Sequence, residues 1–292
     1  MRILIPVLFL SMILSLLCGR LQEGLQRTLS ARPALVFLAP AVLSLLFCGI
    51  ASAMGALSIP LVTLILIYTF APTVCCYSAQ RLPPPAWPDF LVILLLWMPL
   101  EFGAGARWVP KPAQGLLHMA AYGVSVTLGL VLFLLFRRLG KIKYNLPRSG
   151  EDLVNVLIGF ACVAPVLIVL GRALGFLAPF HVPVRLSAAR LVAQLLIILA
   201  ATALPEEILF RGFIQNGLMQ KLGSKFTTLL LAALVFGCAH LDNGPEPLPN
   251  WRYMILATIA GVAYGKVYEK SSSIFASATL HAIVNTIRHS FF

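Results

Sequence analysis

Six side chains in the last third of the chain could act on a polar bond, and they fall in three short motifs. The first is Leu204-Pro205-Glu206-Glu207-Ile208-Leu209-Phe210-Arg211, the second Phe236-Gly237-Cys238-Ala239-His240, the third His281-Ala282-Ile283-Val284-Asn285. Carboxylates and imidazoles carry protons in acid–base chemistry, and an asparagine amide or a protonated imidazole can donate to a developing oxyanion. A spacing of four puts Glu207 and Arg211 on one helical face, where they can pair charge to charge. Glu206 is turned about 100° from Glu207, so it cannot share that pairing equally and can point elsewhere. Pro205 lacks an N–H and favours a kink here. Phe236 with His240, and His281 with Asn285, share faces in the same way, and the small Gly237 and Ala239 admit a neighbouring helix.

Each motif alone has a plainer reading. The acidic pair can be a salt bridge at a membrane boundary beside a solvated carboxylate. His240 can be an interfacial cap, and His281 with Asn285 a hydrogen bond between helices. What favours one site is their joint occurrence in one apolar third of the chain, because an unpaired ionisable group in hydrocarbon costs at least a few kcal/mol.

The elements that must position these groups are membrane helices. Of the 292 residues 60% are hydrophobic and 11% charged, with mean hydropathy +0.93, against roughly 45–50% and about 25% in soluble domains. That balance excludes a water-soluble globule. The apolar residues come in blocks long enough to cross about 30 Å of hydrocarbon. Ten spans can be drawn, at about 3–18, 33–52, 55–76, 89–103, 116–136, 152–171, 188–214, 226–240, 251–268 and 272–289. The fold class expected is all-α, a polytopic bundle of about 8–10 membrane helices. Arg2 precedes an apolar run that also resembles a signal peptide, but Leu17 before Cys18 is a poor cleavage site, so a retained first helix is expected.

The net charge of +12 sits mostly between the apolar blocks and reads as topology signals rather than a nucleic-acid surface. If the basic loop Arg137, Arg138, Lys141, Lys143, Arg148 is cytoplasmic, Lys266 and Lys270 fall on the same side and Asp242 and Glu246 on the other. Arg288, His289 and Phe291-Phe292 read as interfacial anchors. The six cysteines lack paired C-x-x-C spacing and suggest neither a disulfide framework nor a zinc ribbon. The polar motifs divide the chain into N-terminal membrane helices of unknown role, residues 1–150, and a functional core, residues 151–292.

At these motifs the chain resembles the CAAX-protease and bacteriocin-processing family of intramembrane proteases, which includes the type II CAAX prenyl endopeptidases. The family's E-E-x-x-x-R, F-x-x-x-H and H-x-x-x-N stand here, in order, as Glu206-Glu207 with Arg211, Phe236 with His240, and His281 with Asn285. The resemblance implies a conical active-site cavity within the bilayer and an enzyme in a prokaryotic inner membrane, without a cofactor. It implies that Glu206, assisted by His240, activates a water, while His281 and Asn285 stabilise the oxyanion. Glu207 and Arg211 would support the site and Phe236 would shape its wall. The substrate would be a protein or peptide at the lipid bilayer: a prenylated C-terminus, a leader peptide or a C-terminal sorting anchor.

Two alternatives stand beside this. Glu206, His240 and His281 could furnish a zinc site with an open water position, although Asn285 is a poor zinc ligand and the H-E-x-x-H pattern is lacking. A transporter or scaffold with a buried proton relay is the other, against which stands the crowding of polar groups into one half of the chain.

Overall fold

The computed structural model describes residues 4–183, 187–243 and 249–292. The expectations placed on Arg2 and Glu246 lie outside the described residues. The described chain is an all-helical polytopic bundle. Its helices are α1 (Leu4–Ser15), α2 (Gly19–Ala31), α3 (Pro33–Ala53), α4 (Ile59–Ser78), α5 (Trp87–Glu101), α6 (Lys111–Phe136), α7 (Gly150–Ala173), α8 (Ala188–Leu222), α9 (Phe226–Cys238), α10 (Trp251–Lys270) and α11 (Ile274–Phe291).

Each of the ten apolar blocks contains a helix, but fewer of these helices are suited to cross a membrane. Among the described residues α3, α4, α6, α7 and α8 are long and apolar enough, and α1 with α2 makes a sixth if that pair, bent by 79°, is one span. The remainder fall short for two reasons. α9 and α5 have only 13 and 15 residues, too short for about 30 Å at 1.5 Å per residue. α10 and α11 are long enough but carry Arg252, Lys266, Glu269 and Lys270 or His281, Asn285, Arg288 and His289.

The chain divides into two compact units, Met1–Lys141 and Ile142–Phe292. In the first, α4 packs on α3 and α5, and α6 on α1 and α3. A buried fork fixes it from within: Arg137 donates to both carboxylate oxygens of Asp89 at 2.8 and 2.9 Å and to the carbonyl of Ala79 at 2.6 Å. Asp89 also accepts from the N–H of Ala86 at 2.7 Å, closing the start of α5.

In the second unit α10 lies between α9 and α7, and α11 packs on α7, α8 and α10. Gly237 makes the first contact possible: a Cβ there would stand 1.9 Å from Thr258 Oγ1 and 2.7 Å from the carbonyl of Met254. The turn from α10 to α11 is fixed by groups far back in sequence. Lys143 donates from Nζ to the carbonyls of Tyr268, Glu269 and Ser271 at 2.7, 3.0 and 2.8 Å, satisfying the orphan acceptors at the end of α10. Asp152, near the start of α7, accepts from the N–H and hydroxyl of Ser272 at 2.7 and 2.6 Å, and Ser273 donates to the carbonyl of Asn145. Lys143, read from sequence as a topology charge, is therefore a helix cap that sets where α11, with His281 and Asn285, begins.

Candidate active site

Glu206, Glu207 and Arg211 lie in α8 where its hydrogen bonding is irregular. Leu199–Ala203 and Ile208–Gln215 are π-helical, on either side of the short α-helical piece Leu204–Glu207. Pro205 has no N–H to give to the preceding turn, and a widened helix accommodates that loss without breaking α8.

The two glutamates have separate environments. Glu207 is fully buried and accepts from Arg211 Nε at 3.0 Å. Its other oxygen, Oε1, lies 3.2 Å from His281 Nδ1. A carboxylate paired with a guanidinium is an acceptor only, so Nδ1 of His281 carries the hydrogen and donates. Nε2 of the same ring faces Glu206 Oε2 at 3.8 Å. The Glu206 side chain is 21% exposed against 0% for Glu207, which leaves Glu206 the one that water can reach.

Arg211 is buried within the same cluster. Nη1 donates to Gln215 Oε1 at 3.4 Å, Gln215 donates to the carbonyl of Gly265 at 3.1 Å, and the guanidinium stacks over Phe236 at 4.9 Å. A Cβ at Gly265 would stand 2.5 Å from that Gln215 oxygen, so the close approach of α10 depends on this glycine. Removing either member of a buried ion pair costs about 3–5 kcal/mol, because the other charge is stranded.

His240 follows the end of α9. Its Nδ1 lies 2.8 Å from the carbonyl of Phe236. A carbonyl can only accept, so Nδ1 donates and a neutral His240 keeps its lone pair on Nε2. Its ring meets Phe236 edge-on at 4.7 Å and Tyr253 at 4.6 Å. Phe236 in turn meets His281 edge-on at 5.8 Å, so one phenyl ring is in contact with both imidazoles.

His281 and Asn285 line a cavity of about 80 Å³, together with Phe236, Tyr253, Tyr264 and Arg288. At about 10–15 Å³ per water centre, that volume holds several waters. The remaining wall is mostly apolar, from α7, α10 and Phe176. The cavity wall therefore includes His281, Asn285 and Phe236, Glu206 adjoins it through His281, and His240 adjoins it through Phe236 and Tyr253. Among the described residues no three His, Cys, Asp or Glu side chains are grouped to hold a metal ion.

Three residues at the site were not singled out from sequence for this role. Tyr264 stacks on His281 at 4.7 Å with the rings 16° from parallel, fixing the imidazole plane. Tyr253 separates His240 from Arg288. Arg288, read from sequence as an interfacial anchor, instead lines the cavity and lies over Phe176 and Tyr253 at 4.5 and 4.6 Å. A signal for it was present: Arg288 follows Asn285 by three and His281 by seven, one continuous helical face.

Residues 188–287 match the family model described as Rce1-like, type II CAAX prenyl endopeptidase. This bears out the resemblance read from the motifs, over about a third of the chain. No curated protein and no solved structure matches the chain.

Proposed function

From the premise that residues 188–287 carry the Rce1-like family's pattern, we propose that the protein is a metal-free intramembrane endopeptidase in which Glu206 activates water. The observation that carries this reading is the placement of His281, held by Glu207 at 3.2 Å, 3.8 Å from Glu206 and one turn before Asn285 in the cavity wall. Water enters the cavity beside Glu206, and the carboxylate takes one of its protons as the oxygen attacks the carbonyl carbon of the scissile bond. His240, with Nε2 free to accept, assists that proton transfer. The oxyanion that forms receives hydrogen bonds from the Asn285 amide and from Nε2 of His281 when that nitrogen carries a proton, the ring being held through its Nδ1–H on Glu207. The proton held by Glu206 then passes to the amide nitrogen as the C–N bond breaks. Glu207 and Arg211 hold the helix and the His281 ring, and Phe236 separates the reacting groups from the apolar wall.

Arg288 favours a substrate that is cut near its C-terminus. Seven residues along α11 separate it from His281, about 10 Å, and an extended peptide covers that distance in about three residues. A free C-terminal carboxylate paired with Arg288 would place an upstream peptide bond at the reacting groups. Of the three substrate classes, a processed C-terminus fits this better than a leader peptide. The protein would act in a prokaryotic inner membrane.

The test uses purified full-length protein in detergent and an internally quenched peptide with a prenylated cysteine near a free C-terminus. Wild type, Glu206→Gln and His240→Ala are assayed with and without 1,10-phenanthroline. The proposal expects cleavage by wild type, a loss of about a hundredfold or more in Glu206→Gln, and no effect of chelator. Equal cleavage by Glu206→Gln would remove the base assignment, and a loss reversed by added zinc would replace the metal-free mechanism.

A further inference from the structure

α7 and α10 present one pair of faces to the catalytic cavity and another to the outside, where they border a groove of about 350 Å³. The groove is apolar along most of its length, with Ile158, Cys162 and Val166 on α7 facing Ile259 and Val262 on α10. Its α7 wall is open, Ile158 being 55% and Val166 43% exposed. At the other end stand Lys266 and Lys270, four apart on one face at the C-terminal end of α10. Lys266 is half-exposed and shares its charge with Glu269 at 2.8 Å. Lys270 is exposed and has no ion pair among the described residues.

An occupant of this groove needs two properties. It must place a hydrocarbon chain against α7, a 24-residue helix whose apolar window is only 11% buried, and it must bring negative charge to the lysine end. A soluble anion lacks the first property, and a zwitterionic lipid brings no net charge to the second. We propose that the groove binds one anionic phospholipid, with an acyl chain between α7 and α10 and the phosphate at Lys270 and Lys266. A lysine near a membrane surface adds about 1 kcal/mol to the binding of an anionic lipid, and Glu269 offsets part of the contribution of Lys266. The two together give about tenfold in affinity. This site does not depend on the protease reading, since none of its residues belongs to the proposed catalytic machinery.

The experiment is native mass spectrometry of the delipidated full-length protein in detergent, titrated with phosphatidylglycerol or with phosphatidylcholine of identical chains. Wild type is expected to retain one phosphatidylglycerol with about tenfold preference over phosphatidylcholine. The double variant Lys266→Gln/Lys270→Gln loses that preference, whereas Lys225→Gln, an exposed lysine outside the groove, keeps it. Cys162→Trp, which puts a bulky ring on the α7 wall of the groove, weakens retention of both lipids. Equal retention of the two lipids by wild type, or an undiminished preference in the double variant, would overturn the proposal.

Discussion

The Nδ1–H of His281 donates to Oε1 of Glu207 at 3.2 Å, joining two helices across 74 residues of sequence. Glu207 is thereby shared between a charge four residues away, Arg211, and a ring on the last helix. Its role is to hold the site together, and that role separates it from its neighbour Glu206.

The first prediction follows from this difference. Arg211→Met leaves a fully buried carboxylate without its guanidinium and should destabilise the protein by about 3–5 kcal/mol. Glu206→Gln, at a partly exposed position, should change stability by less than about 0.5 kcal/mol. Denaturant unfolding in detergent, followed by tryptophan fluorescence, measures both. Equal destabilisation by the two variants would contradict the division of labour between the glutamates.

Asn285 separates binding from chemistry. Its amide lines the cavity one turn after His281, where it can donate to the oxyanion but contributes little to holding an apolar peptide. Asn285→Ala should lower kcat by about 10²–10³ and change KM by less than about threefold. Steady-state kinetics decides this, and a rise in KM at unchanged kcat would make Asn285 a binding residue.

These relationships were legible from sequence to unequal degrees. The pairing of Glu207 with Arg211 was readable because it lies within one helix, where a spacing of four fixes a common face. The stacking of Tyr264 on His281 was not, because periodicity gives the buried face of each helix and says nothing of how two faces are rotated against each other. The capping role of Lys143 was not legible because a charge in a loop looks the same whether it meets lipid headgroups or caps α10 from 125 residues away. Ten apolar blocks were drawn, whereas among the described residues five or six helices are long and apolar enough to cross a membrane, because blocks such as 226–240 and 251–268 form helices that are short or carry charges.

Arg288 yields the third prediction. With its guanidinium over Phe176 and Tyr253 and no carboxylate paired to it among the described residues, it is placed to meet a substrate anion. Arg288→Gln should raise KM about ten- to a hundredfold for a peptide with a free C-terminus, on the basis of about 1.5–3 kcal/mol for a charged hydrogen bond. It should leave KM for the C-terminal amide of the same peptide unchanged. If both peptides respond alike, Arg288 acts through Tyr253 and not on the substrate.

The last prediction tests how the second histidine is held. α9 ends two residues after Phe236, and His240 reaches the site only if that end lies tight against α10. Gly237 sets the separation: an added Cβ would lie 1.9 Å from Thr258 Oγ1 and 2.7 Å from the Met254 carbonyl. The hydroxyl could turn away, but the carbonyl belongs to the backbone of α10 and can move only with the helix. Gly237→Ala should therefore destabilise the protein by about 1–3 kcal/mol, displace His240, and lower kcat more than it raises KM. Removing the movable group as well, in Gly237→Ala/Thr258→Ala, should restore little. Gly24→Ala is the matched control, because a Cβ there meets nothing within 4 Å; at that helical position alanine should stabilise by about 0.5–1 kcal/mol. Thermal unfolding and peptide cleavage measured on the same preparations decide the matter, and full rescue by Thr258→Ala would show that the side chain, not the backbone of α10, sets the limit.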